Sequence, residues 1–185
     1  MEYILAKFKL LHPDTEVIGQ MVIDFEQAVN SSSFMPILEK HGLKNVAKDE
    51  WYSGQAWLDV LNDIATNSKN FLSLVSIGMK QIDNVDWPPE FETMSLEEVM
   101  QSLNPVYQSY YRGTDTGEIV FEKVTDAHFK IILRVFEPDD IWYGNIYQLA
   151  KTFNKSGKRF TVAYDEELTR RDAGGEKTII HLKLK

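Results

Sequence analysis

The apolar residues of this chain change their spacing after Arg112, and no other sequence feature restricts the possible folds as much. Before Arg112 they recur every three or four positions, as on one face of a helix, and after it they alternate, as on one face of a strand. Two alternating segments that form a predicted hairpin come first, 118–124 and 128–136. One helical segment within 136–153 and two further alternating segments, within 159–167 and 177–185, follow them. This ββαββ order predicts an α+β fold in which an N-terminal helical layer packs on a C-terminal antiparallel sheet.

The part before this change is predicted to be helical. Apolar spacing indicates five segments: 17–30, 33–41, 54–65, 70–82 and 95–112. Ser95 and Glu98 form a capping box at the start of the last segment. Because Pro105 lies well inside that segment, we expect a kink or a break into two helices.

The size of the chain fits one folded domain. With 185 residues, 43% of them hydrophobic, it can bury roughly 70% of its unfolded surface. It contains neither an internal repeat nor a linker-like segment. The sequence therefore predicts a single domain over 1–185, with a mainly helical part (1–112) and a ββαββ part (113–185).

Charge and cysteine usage exclude several classes of function. There are 28 acidic against 20 basic residues, a net charge of -8, which argues against a nucleic-acid partner. The absence of cysteine excludes disulfides, thiol nucleophiles and cysteine-ligated metals. The N-terminus does not resemble a signal peptide, and the longest apolar run, 71–79, is half of the ~20 residues that a membrane span needs. We expect a cytoplasmic protein without a membrane span.

No catalytic signature is present. The four histidines lack the spacing of a helical metal site: His12, His41, His128 and His181. The sequence "GTDTG" around Asp115 resembles an aspartic protease turn, but that chemistry needs a second carboxylate and the motif occurs once. The chain is therefore predicted to be non-enzymatic. The remaining catalytic hypothesis relies on three carboxylates near the start of one helix: Glu137, Asp139 and Asp140.

The segment "FEPDDIWYGNIYQLAKTF", 136–153, combines an acidic start with five aromatic residues. Asp139 or Asp140 is predicted to cap the helix and to suit its positive dipole end. One face is expected to close the core: Trp142, Ile146, Leu149 and Phe153. Tyr143 and Tyr147 are better suited to the wall of a cavity, because a buried hydroxyl needs a partner.

Three glycines lie inside helical patterns: Gly19, Gly78 and Gly144. A glycine inside a helix costs about 1 kcal/mol relative to alanine, so each needs a reason. Either a neighbouring element packs closely against the glycine, or the missing side chain leaves room for a ligand.

The order of elements carries a family resemblance. A helical layer, a kinked 95–112 helix, a hairpin and a further helix lead into "RFTVAYDEELTRRDAGGEKTIIHLKL". Over about 128–184 this resembles the superfamily that contains heme–nitric-oxide-binding (H-NOX) sensors, four-vinyl-reductase domains and TRAPP tethering subunits. The N-terminal part, with "ILEKHGL" and "WYSGQAWLDVL", is similar to uncharacterised bacterial relatives of that fold. The resemblance implies a pocket between the helical layer and the sheet, used for sensing or for partner contact.

The chain departs from that superfamily at its functional positions. The H-NOX sensors hold heme iron by a histidine on the helix before the sheet, but here no histidine lies between His41 and His128. Their Tyr-x-Ser-x-Arg motif has only the near match "YQSYYR", 107–112, which is one residue too long. Four-vinyl-reductase domains often end in a strand that bears cysteine, where this chain has Thr178. The pocket cysteine by which the tethering subunits attach lipid is also missing. The sequence thus argues against conventional histidine-ligated heme and leaves the cofactor open.

The resulting hypothesis is a non-enzymatic small-molecule-binding or sensory module with an apolar pocket, signalling through a partner protein or a homodimer. Arg134 is the candidate polar anchor of that pocket, and apolar or aromatic residues are its candidate lining: Trp57, Phe71, Met79, Met100, Tyr107, Trp142 and Tyr143. The alternative is a scaffold or interaction protein of the same fold, with a filled core and a dimer interface.

Overall fold

The structure is a computed structural model that describes residues 8–29, 34–66 and 73–185. Seven helices lie in these ranges: α1 (Gly19–Val29), α2 (Met35–Lys40), α3 (Gly54–Thr66), α4 (Leu74–Asp83), α5 (Leu96–Gln101), α6 (Leu103–Tyr110) and α7 (Asp139–Phe153). Seven strands accompany them: β1 (Glu16–Ile18), β2 (Trp51–Ser53), β3 (Tyr111–Arg112), β4 (Gly117–Thr125), β5 (His128–Val135), β6 (Phe160–Tyr164) and β7 (Thr178–Leu184). In the described part of the chain no helix is long and apolar enough to cross a membrane.

The C-terminal sheet confirms the predicted α+β class and the ββαββ order. Its four strands are antiparallel throughout and lie in the order β4-β5-β7-β6. In β5 every second residue is buried, from Phe129 to Val135. The register pairs Ile131 with Ile180 on this same face, so that the apolar residues of neighbouring strands form one continuous core surface.

A second, small sheet was not predicted. Strands β2, β1 and β3 pair antiparallel in that order, with Val17 opposite both Tyr52 and Tyr111. Strands of two or three residues are too short to show an alternating pattern, which explains why the sequence did not indicate them. The predicted helix at 17–30 accordingly begins at Gly19, after β1.

The helical segment before the sheet is broken, as Pro105 predicted. The capping box is present, with the Ser95 amide donating to Glu98 Oε2 at 2.7 Å and the Glu98 amide donating to Ser95 Oγ at 3.2 Å. The helix then ends at Gln101 and restarts at Leu103. Since proline has no N–H and its ring collides with the carbonyl four residues earlier, the break falls near Gln101 rather than at Pro105 itself.

Helices α4 and α7 cross at two glycines. A Cβ atom on Gly78 would lie 2.1 Å from the Ile141 carbonyl oxygen, and one on Gly144 would lie 2.1 Å from the Val75 carbonyl oxygen. Both distances are far below van der Waals contact, so the backbones touch where the side chains are missing. A Cβ atom on Gly19 would similarly lie 2.0 Å from the Ala47 carbonyl oxygen. Close packing, and not room for a ligand, therefore explains these glycines.

The N-terminus of α7 is capped from a distant loop. The Asp139 amide donates to Asp172 Oδ2 at 2.8 Å, and the Asp172 amide donates to Asp139 Oδ2 at 3.1 Å. The predicted capping by Asp139 or Asp140 was wrong: the cap position is Pro138, and the Asp140 carboxylate accepts from the Tyr164 hydroxyl at 2.7 Å instead. The two acidic residues do lie in the first turn, where they suit the helix dipole.

We predict that Gly144→Ala destabilises the protein by about 1–3 kcal/mol, because the added methyl group overpacks the α4–α7 crossing. The loss outweighs the ~1 kcal/mol that alanine gains over glycine in a helix. Urea denaturation measures the change. The control is Thr152→Ala on an exposed position of α7, for which we expect a change within about 0.5 kcal/mol. Equal stability of the Gly144→Ala variant and the unmodified protein would contradict the close crossing.

We also predict that stability falls as the pH rises from about 4 to 7. Burial, and then the neighbouring Asp139, raise the pKa of Asp172 from 3.8 to about 7. In this window the folded protein holds a proton that the unfolded chain has released, so increasing pH favours unfolding. Asp172→Asn keeps the capping oxygen but cannot titrate, and it should flatten the dependence of the unfolding free energy on pH.

Denaturation at several pH values tests this expectation. Asp86→Asn, at an exposed aspartate, is the control for the change in net charge. If the unfolding free energy of Asp172→Asn depended on pH as steeply as that of the unmodified protein, the interaction between the loop and α7 would not depend on this proton.

Candidate functional site

A cavity of about 140 Å³ lies among the helices. Its walls come from α1, α4, α5, α6 and α7, from the segment between α4 and α5, and from Tyr111 and Glu137; the described lining includes no residue of the four-stranded sheet. Val85 and Val106 line it and are 39% and 42% exposed, so the cavity reaches the surface beside them. It thus lies within the helical layer, whereas the predicted pocket was between that layer and the sheet.

Aromatic rings form much of the wall. Tyr107 packs on Trp142 and Tyr111, with ring centroids 5.8 and 4.8 Å apart. Trp87 and Phe91 also line the cavity, with ring centroids 5.0 Å apart. Aliphatic and mixed residues complete the lining: Met21, Asp24, Gln81, Ile82, Val85, Val99, Ser102, Leu103, Val106, Tyr110, Asn145 and Leu149.

Glu137 is a buried carboxyl group in this wall, with 3% of its surface exposed. Strand β5 ends at Val135, and the turn into α7 carries Glu137 inward. The Tyr111 hydroxyl donates to its Oε1 at 2.5 Å and the Trp142 indole N–H donates to its Oε2 at 3.1 Å. Burial raises the pKa of this carboxyl above its usual value, and these two donors and the nearby Trp57 partly oppose that rise.

Two side-chain amides of the lining, those of Gln81 and Asn145, have buried oxygen atoms. Within the described ranges no donor lies in hydrogen-bond reach of Gln81 Oε1 or Asn145 Oδ1. Asp24 adds a second carboxylate, and burial raises its pKa against a hydrogen bond from Gln20 and the charge of Lys48. A buried acceptor without a donor is costly, so each of these oxygens lacks a stabilising partner that the side chain would gain by turning toward a donor.

The structure brings together only part of the predicted site. Tyr107 and Trp142 line the cavity, although Trp142 had also been expected to close the core. Trp57 is fully buried against Phe25, and Met100 is buried outside the lining. Met79 lies at the α4–α7 crossing, where its amide nitrogen is 3.0 Å from the position of a Cβ atom on Gly144. Phe71 lies outside the described residues.

The two other predicted residues face away from the cavity. Arg134 forms a two-pronged ion pair with Asp115, at 2.9 and 3.1 Å, on the outer side of the sheet. Tyr143 stacks on Tyr164 and donates its hydroxyl to the Val162 carbonyl at 2.8 Å. Tyr147, also expected beside a cavity, is 36% exposed. The face of α7 that was expected to close the core is buried, and its residues Trp142 and Leu149 also line the cavity. The expectation that Tyr143 and Tyr147 line a cavity was wrong, because α4 and the sheet cover opposite sides of this helix.

Several lining residues were missed, and some carried a signal. Gln81 and Asn145 are polar residues next to apolar helical stripes, a position that requires either a partner or exposure. Glu137 was considered only as a catalytic carboxylate. Trp87 and Phe91 lie in a proline-containing segment that has no periodicity, so no pattern could place them near the helices.

Comparison with known proteins identifies the fold. No protein-family model and no curated protein matches the chain. A Cs H-NOX variant with an unnatural amino acid matches with a TM-score of 0.69 at 12% identity, over 91% of this chain and 96% of that one. A T. tengcongensis H-NOX mutant matches with 0.67 at 15%, over 90% and 97%. An oxygen-binding H-NOX domain related to soluble guanylate cyclases matches with 0.67 at 13%, over 90% and 92%.

The chain therefore has the H-NOX fold, and at these identities the likeness shows the fold alone. The predicted resemblance to H-NOX domains is confirmed at that level. Work on some of these structures concerns heme and porphyrin distortion, which makes it necessary to ask whether the cavity fits a heme.

The residues of the cavity do not fit a heme. A volume of about 140 Å³ is close to the ~150 Å³ of an engineered cavity that holds benzene, whereas a porphyrin has four linked rings. The described lining contains no histidine, lysine or arginine, so neither an imidazole ligand nor a cation for propionates is present. Burial and the charge of Asp24 raise the pKa of Tyr110, which disfavours the phenolate that would bind iron.

We predict that Tyr111→Phe lowers stability at pH 7 by about 1–3 kcal/mol, because a buried carboxyl group loses a donor. The same change should raise the pKa of Glu137 further. Denaturation in urea measures the first effect. The control is Tyr147→Phe, since Tyr147 is partly exposed and packs on Phe160 at 5.3 Å; we expect a change within about 0.5 kcal/mol. Similar losses in both variants would mean that the hydroxyl of Tyr111 does not stabilise Glu137.

Proposed function

We propose that this protein is a non-enzymatic small-molecule-binding module of the sensory type, and that its ligand occupies the cavity among α1, α4, α5, α6 and α7. The observation that carries the proposal is a largely apolar cavity, with six aromatic residues in its lining and, on two others, buried amide oxygens without partners in the described part of the chain. Small-molecule sites commonly combine apolar walls with a few convergent polar groups. A domain with a filled core has no need of such a combination.

The volume limits the size of the ligand. At about 140 Å³ the cavity is smaller than the 300–1,000 Å³ typical of sites for drug-sized ligands. It is comparable with the ~150 Å³ engineered cavity that binds benzene. The expected ligand is therefore a molecule of about one aromatic ring, much smaller than a tetrapyrrole.

The location of the cavity supports a sensory role. Helix α6, which directly precedes the sheet, lines it with Tyr107 and Tyr110 and is joined to the start of β4 by the Gln108 side chain, which donates to the Gly117 carbonyl at 2.7 Å. In the H-NOX sensors that the sequence resembles, the helix before the sheet carries the histidine that binds the heme iron. A change at the cavity would thus reach the sheet, and we propose that a partner protein or a second copy of the chain receives it.

A catalytic alternative is favoured by one observation. Glu137 is a buried carboxyl group with a raised pKa that faces the cavity, and perturbed carboxyls in clefts are candidates for general acid–base catalysis. Both of its oxygens accept hydrogen bonds from the protein, which favours a binding or structural role. Turnover of a bound compound that is lost in Glu137→Gln, while binding persists, would favour the catalytic function instead.

The scaffold alternative has a different signature. A dimer that buries roughly 1,200 Å² or more of an exposed surface would support it, provided that no ligand enters the cavity. Native mass measurement at several protein concentrations, together with the binding experiment below, separates the two functions.

We predict that one-ring apolar molecules such as benzene or toluene raise the melting temperature of the purified protein, because a ligand that binds only the folded state stabilises it. Val99→Phe should fill part of the cavity and weaken this binding at least about tenfold, a loss of about 1.4 kcal/mol of binding free energy. The control is Val124→Phe, at a residue that is 47% exposed and does not line the cavity. The absence of binding at saturating concentrations, by these molecules and by the one-ring probes described below, would contradict the proposed function.

A further inference from the structure

Four side chains of the cavity lining carry acceptor oxygens that are carboxylates or amides. Glu137 and Asp24 supply carboxylates, and Gln81 and Asn145 supply buried amide oxygens without a donor in the described structure. Three lining donors are already committed to the protein: the Tyr107 hydroxyl donates to the Thr116 carbonyl, and the Tyr111 hydroxyl and the Trp142 indole N–H donate to Glu137. Among the described lining residues there is no lysine, arginine or histidine.

We infer that the cavity takes a small organic cation, a primary ammonium group on an apolar body of about one aromatic ring, with Glu137 as its anionic partner. The inference rests on the proposed function and specifies its ligand class.

The number of acceptors suits an ammonium group. An ammonium brings three donors and no acceptor. Each oxygen of Glu137 accepts one hydrogen bond from the protein, and a carboxylate has about four acceptor positions, so capacity remains for a further donor. The amides of Gln81 and Asn145 can turn an oxygen toward the same ligand. Such a ligand would use acceptors that otherwise remain buried without partners.

Charge and ring chemistry discriminate between ligand classes. An anion would face Glu137 and Asp24 across a poorly solvated space, where like charges repel strongly. A neutral apolar molecule would leave the buried oxygens unpaired, which costs binding energy. A cation is attracted both by the carboxylates and by the faces of aromatic rings such as Trp142 and Tyr107. The same features that exclude a heme with its two propionates therefore favour an amine.

Three probes that share one ring and differ in charge test the inference: benzylamine, benzyl alcohol and benzoate. Their dissociation constants for the full chain at pH 7 are measured by isothermal titration calorimetry. We expect benzylamine to bind about tenfold or more tightly than benzyl alcohol, because charge-assisted hydrogen bonds are the stronger ones, and benzoate to bind no better than the alcohol. Equal or tighter binding of benzyl alcohol or benzoate would overturn the inference.

Variants of the lining provide a second, independent measurement. Gln81→Met and Glu137→Gln should each reduce the preference for benzylamine over benzyl alcohol about tenfold, since each removes an acceptor or a charge that only the amine uses. Gln148→Met is the matched control for Gln81→Met, because Gln148 is a buried glutamine on α7 that binds Asp83 and does not line the cavity. A preference that Gln81→Met leaves intact, or that Gln148→Met reduces equally, would count against recognition by the cavity oxygens.

Failure of this inference is distinguishable from failure of the proposed function. If toluene binds and benzylamine does not, the cavity accepts small molecules but not cations, and only the inference falls. If neither toluene nor any of the three probes binds, the proposed function falls with it.

Discussion

The direct contact between the backbones of α4 and α7 at Gly78 and Gly144 is the interaction on which the rest of the structure depends. Helix α7 lies between α4 and the sheet, and it is buried on both sides because nothing larger than hydrogen separates the two helices at the crossing. Cavity residues lie next to this contact: Gln81 and Ile82 follow Gly78 on α4, and the Asn145 amide nitrogen is 3.1 Å from the position of a Cβ atom on Gly78. The tight crossing and the cavity are therefore adjacent.

Glu137 connects the fold to the cavity. It lies between β5 and α7, and its carboxyl group receives donors from Tyr111 of the small sheet and Trp142 of α7. Three parts of the fold therefore meet at one buried acid, whose raised pKa records the cost of burial. A stability optimum alone would favour an apolar residue here, since buried charges without a cationic partner destabilise a fold. Its presence is understandable if the group also binds a ligand.

The H-NOX fold and the use of this cavity are separate matters. The likeness to that fold covers 91% of the chain, yet α6 carries Tyr107 and Tyr110 and no histidine, and the cavity has the volume of one ring. Folds commonly host unrelated functions through changes in the lining of one site. Here the cavity has a volume of about 140 Å³, and its described lining includes neither a histidine nor a cationic side chain.

The sequence by itself determined the class of fold, because each signal involved was local. Alternation in β5 and β7, the capping box at Ser95 and the break caused by Pro105 depend on residues that are near one another in the chain. The tertiary structure alone decided the short strands, the cap that Asp172 places on α7, and the position of the cavity. These features join residues that are far apart in sequence, and a helix such as α7, covered on two sides, shows no single apolar stripe from which its cavity-facing side could be predicted.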